Sequence, residues 1–323
     1  MKTVSEELRG KAVLVTGGAG FVGSHIVEQL SRLNLKLIRV IDNLSTGSIA
    51  NINPFISENS NVEFIYGDIS NLENCRKAVD GIDVICHQAA LGSVPRSVGD
   101  PLTSHISNVN GFLNILIAAK EIDIKRIVYA SSSSVYGDHP DLPKVEDKTG
   151  NILSPYAATK AIDEIYAQVF TRCYDVQCIG LRYFNVFGPR QSPTGPYAAV
   201  IPKFIELMRS GHRPVINGDG SFSRDFTYVG NVVQANIKAL TINSKKTYGE
   251  VFNIGAGGRI TILKLVDAIN KGLDTDIKPI FGEKRHGDIS HSNACVDKAR
   301  DMLGYNPEIS FDEGIIKLIS THV

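Results

Sequence analysis

A tyrosine and a lysine give the first chemical signal in this sequence. Tyr156 and Lys160 are four residues apart and follow Ser154 and Pro155, which are typical of the N-cap and first turn of a helix. On a helix this spacing places both side chains on one face. The ammonium would favour the phenolate form of the tyrosine, so the pair could take up and return a proton.

A hydroxyl group facing this pair is predicted from the preceding strand pattern. The apolar stretch 127–130 is typical of a buried strand and ends in four consecutive serines, 131–134. A serine hydroxyl at the carboxyl end of such a strand could bridge between the tyrosine and an oxygen of a substrate. The combination predicts an enzyme that transfers protons.

The N-terminal segment predicts a site for a dinucleotide. A buried strand, 11–16, leads to glycines at positions 17, 20 and 23 and then to a helical apolar pattern. Glycines at this spacing permit a tight turn and close approach of the backbone to a pyrophosphate, which the helix N-terminus favours. A second strand, 37–41, ends at Asp42, whose carboxylate would bind ribose hydroxyls and repel a 2′-phosphate. We therefore predict NAD rather than NADP.

Strand and helix patterns alternate along the first half of the chain. Such alternation predicts an α/β fold with a doubly wound parallel sheet of the Rossmann type, in which ligands gather beyond the carboxyl ends of the strands. Strands are predicted at 11–16, 37–41, 62–66, 84–87, 126–131 and 177–182, and helices near 71–79, 101–120 and 156–173. In the 101–120 helix, one apolar face is predicted to contain Leu102, Ile106, Val109, Leu113 and Leu116.

A Gly/Pro-rich break at 188–196 ends this regular pattern. Shorter helices and strands follow, which predicts a smaller mixed α/β C-terminal lobe that supplies the substrate contacts. We expect residues 1–187 to form the NAD-binding domain, rejoined by about 226–255. Residues 188–225 and 256–323 are expected to form the substrate lobe.

Composition narrows the class of protein. Basic and acidic side chains balance at 34 each, which argues against nucleic acid as a partner. The charged N-terminus and the short apolar run after it predict neither a signal peptide nor a membrane partner. The five cysteines have no metal-binding spacing and mostly lie in apolar patterns, so we predict buried thiols, a cytoplasmic location and no metal site.

Taken in order, these motifs resemble those of the extended short-chain dehydrogenase/reductase family over essentially the whole chain, and within it the UDP-sugar 4-epimerases. The matching segments are 16–23, 42–43, 67–69, 87–90, 108–111, Ser132 with 135–137, Tyr156 with Lys160, 181–185, 224–226 and 287–288. The resemblance implies that Ser132, Tyr156 and Lys160 are catalytic. The NAD-binding residues that it implies are Gly17, Gly20, Phe21, Val22, Asp42, Asn43, Ser45, Thr46, Gly47, Asp68, Ile69, Ala89, Ala90, Asn108, Tyr156, Lys160 and Tyr183.

The resemblance also implies a UDP-sugar substrate and a reaction type. Dehydratases of the family have Asp-Glu directly after the catalytic hydroxyl, where this chain has Ser133 and Ser134, and decarboxylating relatives usually keep a Glu at the second place. Of the family's reactions, this leaves oxidation and reduction at C4 of the sugar with nothing eliminated. That reaction is epimerisation. The implied nucleotide-sugar residues are Asn185, Val200, Asn217, Arg224, Arg285 and Asp288, with the two arginines facing the diphosphate.

The most specific inference from the resemblance concerns the size of the sugar that the site admits. In the resembled enzymes, a residue shortly after the Gly-Asp pair forms a wall beside C2 of the sugar, where a Tyr excludes an N-acetyl group and a small residue admits it. Counting from 287–288 places Ser292 there, which implies interconversion of UDP-N-acetylglucosamine and UDP-N-acetylgalactosamine. Polar contacts around the acetamido group are implied for Ser93, Ser133, Ser134 and Gln191.

Several alternatives stay open from the sequence. The chain could act on UDP-glucose and UDP-galactose, or on UDP-glucuronate, which would need a cation facing the C6 carboxylate. A non-catalytic dinucleotide-binding regulator is a different class, but such proteins commonly lack the Tyr or Lys that this chain retains. The resemblance implies a homodimer in which helices 101–120 and 156–173 form a four-helix bundle, although their apolar faces could equally pack against the sheet.

Overall fold

The computed structural model describes residues 4–193, 198–283 and 291–321 of the chain. Its strands are β1 (Ala12–Thr16), β2 (Leu37–Asp42), β3 (Val62–Tyr66), β4 (Val84–His87), β5 (Arg126–Ser132), β6 (Gln177–Tyr183), β7 (Val186–Phe187), β8 (Val215–Asn217), β9 (Ser223–Arg224), β10 (Thr227–Tyr228), β11 (Val251–Ile254), β12 (Ile260–Thr261) and β13 (Ile280–Gly282). Its α-helices are α1 (Val4–Leu8), α2 (Phe21–Ser31), α3 (Asn53–Glu58), α4 (Leu72–Val79), α5 (Val94–Gly99), α6 (Pro101–His105), α7 (Gly111–Glu121), α8 (Pro155–Tyr174), α9 (Val200–Arg209), α10 (Val229–Thr241), α11 (Ile262–Leu273), α12 (Asp297–Leu303) and α13 (Phe311–Ser320).

Seven strands form one parallel sheet in the order β11-β6-β5-β4-β1-β2-β3. The strand order reverses between β1 and β4. Strands β2 and β3 are added on one side of β1, and β4, β5, β6 and β11 on the other. Ligands of doubly wound folds bind beyond the carboxyl ends of the strands at such a point. The predicted fold class is confirmed, and the position of this crevice follows from it.

Alternate residues of each strand cover the two faces of the sheet. In β1, Val13 packs with Ile26 of α2 and Val232 of α10 on one face, whereas Leu14 packs with Phe112 of α7 on the other. Both faces of a parallel sheet must be covered by helices because neither can remain in water. The carboxyl edge between the helix layers is therefore left for ligands.

The predicted helix at 101–120 is divided into α6, a π-helical turn (Ile106–Asn110) and α7. Its predicted apolar face is divided as well. Val109 and Leu116 are buried, but Leu102 is 66% exposed and Ile106 is 39% exposed. A π turn inserts an extra residue and so rotates the segments on either side of it relative to each other. The prediction of one continuous apolar face is therefore wrong.

A second lobe has its own hydrophobic core, which includes Phe204 of α9, Leu265 of α11 and Ile315 of α13. Short strand pairs, β8 with β13 and β9 with β12, lie in the same part of the chain. Between them the chain returns to the main sheet, where β11 pairs with β6 and α10 packs against α2. In the described part of the chain, no helix combines the length and apolar composition that crossing a membrane requires.

Candidate active site

The turn between β1 and α2 brings backbone close to the cleft. Gly17 has a φ of +66°, and a Cβ atom there would lie 2.6 Å from the backbone of Ala89. A Cβ at Gly23 would lie 2.2 Å from the carbonyl oxygen of Gly17. No side chain caps the first turn of α2 within the described residues, so its N–H groups are suited to an anionic ligand.

Asp42 ends β2 as a buried carboxylate on the wall of the cleft. Its Oδ2 accepts a hydrogen bond from the backbone N of Ala19 (3.0 Å), and its Oδ1 accepts one from the N of Leu44 (2.8 Å). Burial raises the pKa of Asp42, although these two hydrogen bonds oppose the shift. Each carboxylate oxygen retains a lone pair that could accept a ribose hydroxyl.

Asn43 and Asp68 meet at the ends of β2 and β3. Asn43 Nδ2 donates to Asp68 Oδ2 (2.9 Å). Burial alone would raise the pKa of Asp68, but hydrogen bonds from Ser70 and Asn43 outweigh burial and lower it. The carboxylate therefore stays ionised at the edge of the cleft.

One cleft of about 390 Å³ collects most of the residues predicted to bind NAD. Those in its lining are Gly17, Gly20, Phe21, Val22, Asp42, Asn43, Ser45, Thr46, Asp68, Ile69, Ala89, Ala90, Tyr156, Lys160 and Tyr183. Gly47 is not in the lining, and a Cβ atom there would lie 2.8 Å from the carbonyl oxygen of Ala19. The glycine cradle, the uncapped helix end and the buried carboxylate together fit a dinucleotide.

The cleft is also lined by residues that were not among those predicted to bind NAD. They are Gly23, Ile41, Gly67, Gln88, Leu91, Gly92, Ser107, Ala130 and Ser131. Gln88 directly follows β4, so its place after a strand could have indicated it. Its side chain accepts a hydrogen bond from the Tyr183 hydroxyl (3.0 Å), and Asn236 Nδ2 donates to that hydroxyl (2.8 Å). These contacts fix Tyr183 in the lining of the cleft.

Asn108 lies in the π turn and is fully buried. Its Oδ1 accepts from the backbone N of Leu91 (2.7 Å), and its Nδ2 donates to Thr159 Oγ1 (3.0 Å). The side chain therefore ties the loop after β4 to α8. A direct contact between Asn108 and NAD stays a prediction.

Helix α8 begins as the sequence predicted. Ser154 Oγ caps it by accepting from the N of Ala157 (3.1 Å), and Pro155 lies in the first turn. The backbone N of Tyr156 donates to Ser97 Oγ of α5 (2.9 Å). These bonds hold the half-buried Tyr156 at the cleft.

Lys160 points towards the end of β5. Its Nζ donates to the carbonyl oxygen of Ala130 (3.0 Å) and to Asp163 Oδ2 (3.1 Å). Its side chain is buried, yet it lines the same cleft as Tyr156. The structure thus brings the predicted acid/base pair together.

The four serines after the β5 apolar stretch have different surroundings. Ser131 lines the cleft and its hydroxyl donates to the buried Glu164 (2.5 Å). Ser132 ends β5 just beyond this lining, and its Oγ accepts from the N (3.2 Å) and Oγ (2.9 Å) of Ser134. Ser133 begins a 3₁₀ turn (Ser133–Tyr136). The Ser132 hydroxyl can still donate its proton to a ligand, and its catalytic role stays a prediction.

A second cavity of about 310 Å³ lies in the second lobe. It brings together four residues of the predicted nucleotide-sugar set: Asn185, Val200, Asn217 and Arg224. Lys203 and the rings of Phe204, Phe222 and Phe226 also line it. Cations and aromatic faces in one cavity suit a phosphate joined to a planar base. Arg285 and Asp288, also predicted here, lie outside the described residues.

Of the residues predicted around the acetamido group, Gln191 lines the first cleft, whereas Ser93, Ser133, Ser134 and Ser292 are not in the lining of either cavity. Gln191 Nε2 donates to the carbonyl oxygen of Val186 (3.1 Å). Ser93 caps α5 by accepting from the N of Arg96 (3.2 Å). The backbone N of Ser292 donates to the O of Ser223 (3.0 Å), which places Ser292 beside β9 and the second cavity.

The segment after Ser292 forms backbone hydrogen bonds with the loop that contains Lys144. The carbonyl oxygen of Asn293 accepts from the N of Lys144 (2.8 Å), and the N of Cys295 donates to the O of Lys144 (2.9 Å). Lys144 belongs to the loop that follows the serine turn at the end of β5. The predicted wall residue is thereby held close to the loop that follows the predicted catalytic serine.

Comparison with known proteins places this geometry in context. The sequence profile described as the NAD dependent epimerase/dehydratase family matches residues 13–255. A UDP-glucose 4-epimerase of Mycolicibacterium smegmatis is 36% identical over 309 residues, which cover 95% of this chain and 96% of that protein. The implied family resemblance is confirmed.

Solved structures are similar over almost the whole chain. A structure of UDP-N-acetylglucosamine 4-epimerase from Methanobrevibacter ruminantium, in complex with UDP-N-acetylmuramic acid, is 40% identical with a TM-score of 0.90 and covers 97% of this chain and 98% of its own. A UDP-glucuronic acid 4-epimerase from Bacillus cereus, with UDP-glucuronic acid and NAD, is 31% identical with a TM-score of 0.86, covering 96% and 98%. The fold thus has counterparts in enzymes of known structure.

Proposed function

The chain belongs to the NAD dependent epimerase/dehydratase family, and from this premise we propose that it interconverts UDP-N-acetylglucosamine and UDP-N-acetylgalactosamine by inverting C4 of the sugar. Its cofactor is NAD, and its reaction class is the 4-epimerisation of UDP-sugars. The choice of hexose is the part that we propose.

The proposed chemistry uses Tyr156 and Lys160 from the cleft lining and Ser132 from the end of β5. Tyr156, as a phenolate, removes the proton from the sugar 4-hydroxyl, while the Ser132 hydroxyl donates to the same oxygen. NAD supplies the redox step by accepting the C4 hydride and returning it. Tyr156 then gives the proton back, so the proton and the hydride are both restored and nothing is eliminated. The ammonium of Lys160 stabilises the phenolate before the proton is taken up and again after it is returned.

Inversion requires the sugar to present both faces while the nucleotide stays bound. The second cavity is suited to hold UDP, with Arg224 and Lys203 near the diphosphate and the phenylalanine rings near uracil. The 4-keto sugar then turns about the diphosphate, and the hydride returns to the opposite face. Neither Asp nor Glu follows Ser132 directly, which is consistent with a reaction that eliminates no water.

The observation that carries the choice of hexose is the small residue at the predicted wall. Ser292 is pinned by its backbone to Ser223, next to Arg224 of the second cavity. The Methanobrevibacter ruminantium enzyme, which is similar over 97% of the chain, binds a UDP-linked N-acetyl sugar. A serine would leave room for an acetamido group where a tyrosine would not.

The test supplies each substrate separately to purified protein without added NAD. UDP-N-acetylglucosamine, UDP-glucose and UDP-glucuronate are incubated with the enzyme, and the products are identified by NMR. We expect the N-acetylhexosamine pair to be interconverted with the highest kcat/KM. A higher value for UDP-glucose or UDP-glucuronate would instead identify one of those alternatives as the substrate.

A substitution at Ser292 then tests whether this residue forms the wall beside C2 of the sugar. Ser292→Tyr should abolish turnover of the acetamido sugars by steric overlap while retaining turnover of UDP-glucose. Ser320→Tyr is the matched control, because Ser320 is exposed at the end of α13. Equal loss of both substrate classes, or of neither, would show that Ser292 is not the wall.

We also propose that the chain pairs with a second copy of itself. Val98, Leu102 and Ile106 form an exposed apolar row, and Ile165 and Val169 form a second row on α8. Helices α5 and α6 pack beside α8, so the rows are parts of one surface. Apolar groups grouped in this way are typical of protein interfaces.

A further inference from the structure

A buried carboxylate, Asp163, forms an ion pair with Lys160, the predicted catalytic lysine. Asp163 is on α8, three residues after Lys160, and its Oδ2 lies 3.1 Å from Lys160 Nζ. Both side chains are only 2% exposed. An ion pair of this spacing is common on helix surfaces, but here it is buried beneath the cleft.

We propose that Asp163 is a positioning residue for the Tyr156–Lys160 pair: its carboxylate holds the Lys160 ammonium against the end of β5 and offsets part of the positive charge that Tyr156 experiences. The proposal rests on the proposed function for its catalytic meaning. It concerns a residue that lies outside the cleft lining and touches Lys160 rather than the substrate.

The geometry of Lys160 supports a positioning role. An ammonium has three N–H donors, and two of them are used by Ala130 O and Asp163 Oδ2. These two bonds fix the direction of the third N–H. Because Lys160 lines the cleft, that third donor is available for a ligand or the tyrosine.

The other ionisable groups around the pair are neutral or already compensated. His87 is on β4. Burial, together with the smaller effect of the Lys160 charge, lowers the pKa of His87 to about 3, so its imidazole is neutral. From β5, burial raises the pKa of Tyr129 well above its ordinary value. Glu164 on α8 is matched by Arg182 from β6 through two hydrogen bonds of 2.9 and 2.8 Å. Asp163 is therefore the carboxylate that offsets Lys160.

Asp163 is also poised to change its charge. Burial raises the pKa of Asp163 to about 6, although Lys160 opposes the shift. Its Oδ1 is buried and finds no hydrogen-bond partner among the described residues. An ionised Asp163 reduces the net positive charge beneath Tyr156, whereas a protonated one leaves the ammonium uncompensated. The protonation state of Asp163 thus adjusts how strongly the phenolate is stabilised.

The test measures the ionisation of Tyr156 in the holoenzyme without turnover. Near-ultraviolet absorbance is followed against pH for the wild type and for Asp163→Asn, each with its Tyr156→Phe counterpart subtracted. Seven residues of helix separate the two side chains, roughly 10 Å. A unit charge at that distance should lower the titration midpoint in Asp163→Asn by about one pH unit. A midpoint that is unchanged, or that rises, would refute the charge-offsetting role.

The same shift should be seen in activity. The acid limb of the kcat/KM profile should move to lower pH in Asp163→Asn and stay at its wild-type position in Asp163→Glu, which keeps the charge. Asp175→Asn is the matched control, because Asp175 is an exposed carboxylate at the end of the same helix. A shift in Asp163→Glu or Asp175→Asn equal to that in Asp163→Asn would contradict the proposal.

Two further measurements separate a failure of the Asp163 proposal from a failure to fold and from a failure of the proposed function. If Asp163→Asn does not fold, Asp163→Ser is used, because its smaller side chain leaves room for water beside the ammonium, and the same fall in midpoint is expected. If the wild type turns over no UDP-sugar, the proposed function fails. The absorbance titration would still decide on Asp163, since it requires only folded protein with NAD bound.

Discussion

At the scale of single residues, the Tyr156 hydroxyl is the group on which the proposed reaction depends most. Tyr156→Phe keeps the ring and leaves the backbone bond to Ser97 in place. We expect turnover to fall by about two to four orders of magnitude, as is typical when a general acid/base group is removed. Thermal stability and NAD content should stay at wild-type values. Turnover within a few-fold of wild type would contradict the assigned role.

Asp42 is the residue expected to select NAD over NADP. Asp42→Asn keeps an oxygen that can accept from Ala19 or Leu44 but removes the charge that would repel a 2′-phosphate. We therefore expect calorimetry on the apo-protein to show a smaller preference for NAD. Asp42→Ala should also lower the free energy of unfolding by about 1–3 kcal/mol, because it leaves the Ala19 N–H without its acceptor. Equal affinity of the wild type for NAD and NADP would contradict this role.

The acid/base pair could be predicted from sequence because its two members lie on one helix turn. The neighbours that hold it could not. The bond from Tyr156 to Ser97 and the packing of Lys160 on Ala130 join segments that are distant in sequence. Asp163 looks like an ordinary polar helix position until the structure shows that it is buried.

At the scale of elements, the β1 turn and α2 depend on a close backbone approach at Gly23. An added methyl group would lie 2.2 Å from Gly17 O, which is a backbone atom that cannot move aside. Gly23→Ala should therefore displace α2, lower the free energy of unfolding by about 1–3 kcal/mol and reduce the NAD retained on purification. Gly258→Ala is the matched control, since a methyl group there meets nothing within 4 Å. Equal effects of the two substitutions would contradict the account of the turn.

The strands of the first half and the longest helix could be predicted, whereas the shortest helices could not. Strands β1 to β6 and helix α8 lie close to their predicted bounds. Helices α1, α3, α5 and α12 have five to seven residues, too few to show a helical period. Contacts elsewhere in the fold stabilise such helices. In α5, for example, Ser97 accepts a hydrogen bond from the start of α8.

At the scale of the whole molecule, the parallel sheet follows from the alternation of strands and helices, because a helix between two strands returns the chain to the edge of the sheet where the first strand began. The contribution of β11 to this sheet depends on a return of the chain after the second lobe begins. The pairing of β9 with β12 and of β8 with β13 involves strands of two or three residues, for which sequence patterns hold little information. The domain boundaries proposed from the sequence therefore stay a prediction.

The exposed apolar surface on α5, α6 and α8 predicts the state of assembly. Leu102 and Ile165 are 66% and 61% exposed in the single chain, so a charge there should cost the monomer little stability while opposing burial against a second copy. We expect light scattering with size-exclusion chromatography to show a dimer for the wild type and a monomer for Leu102→Asp with Ile165→Asp. Ile316→Asp is the matched control, because Ile316 is an exposed isoleucine on α13 in the second lobe. A wild-type monomer, or a double variant that remains dimeric, would show that this surface does not join two copies of the chain.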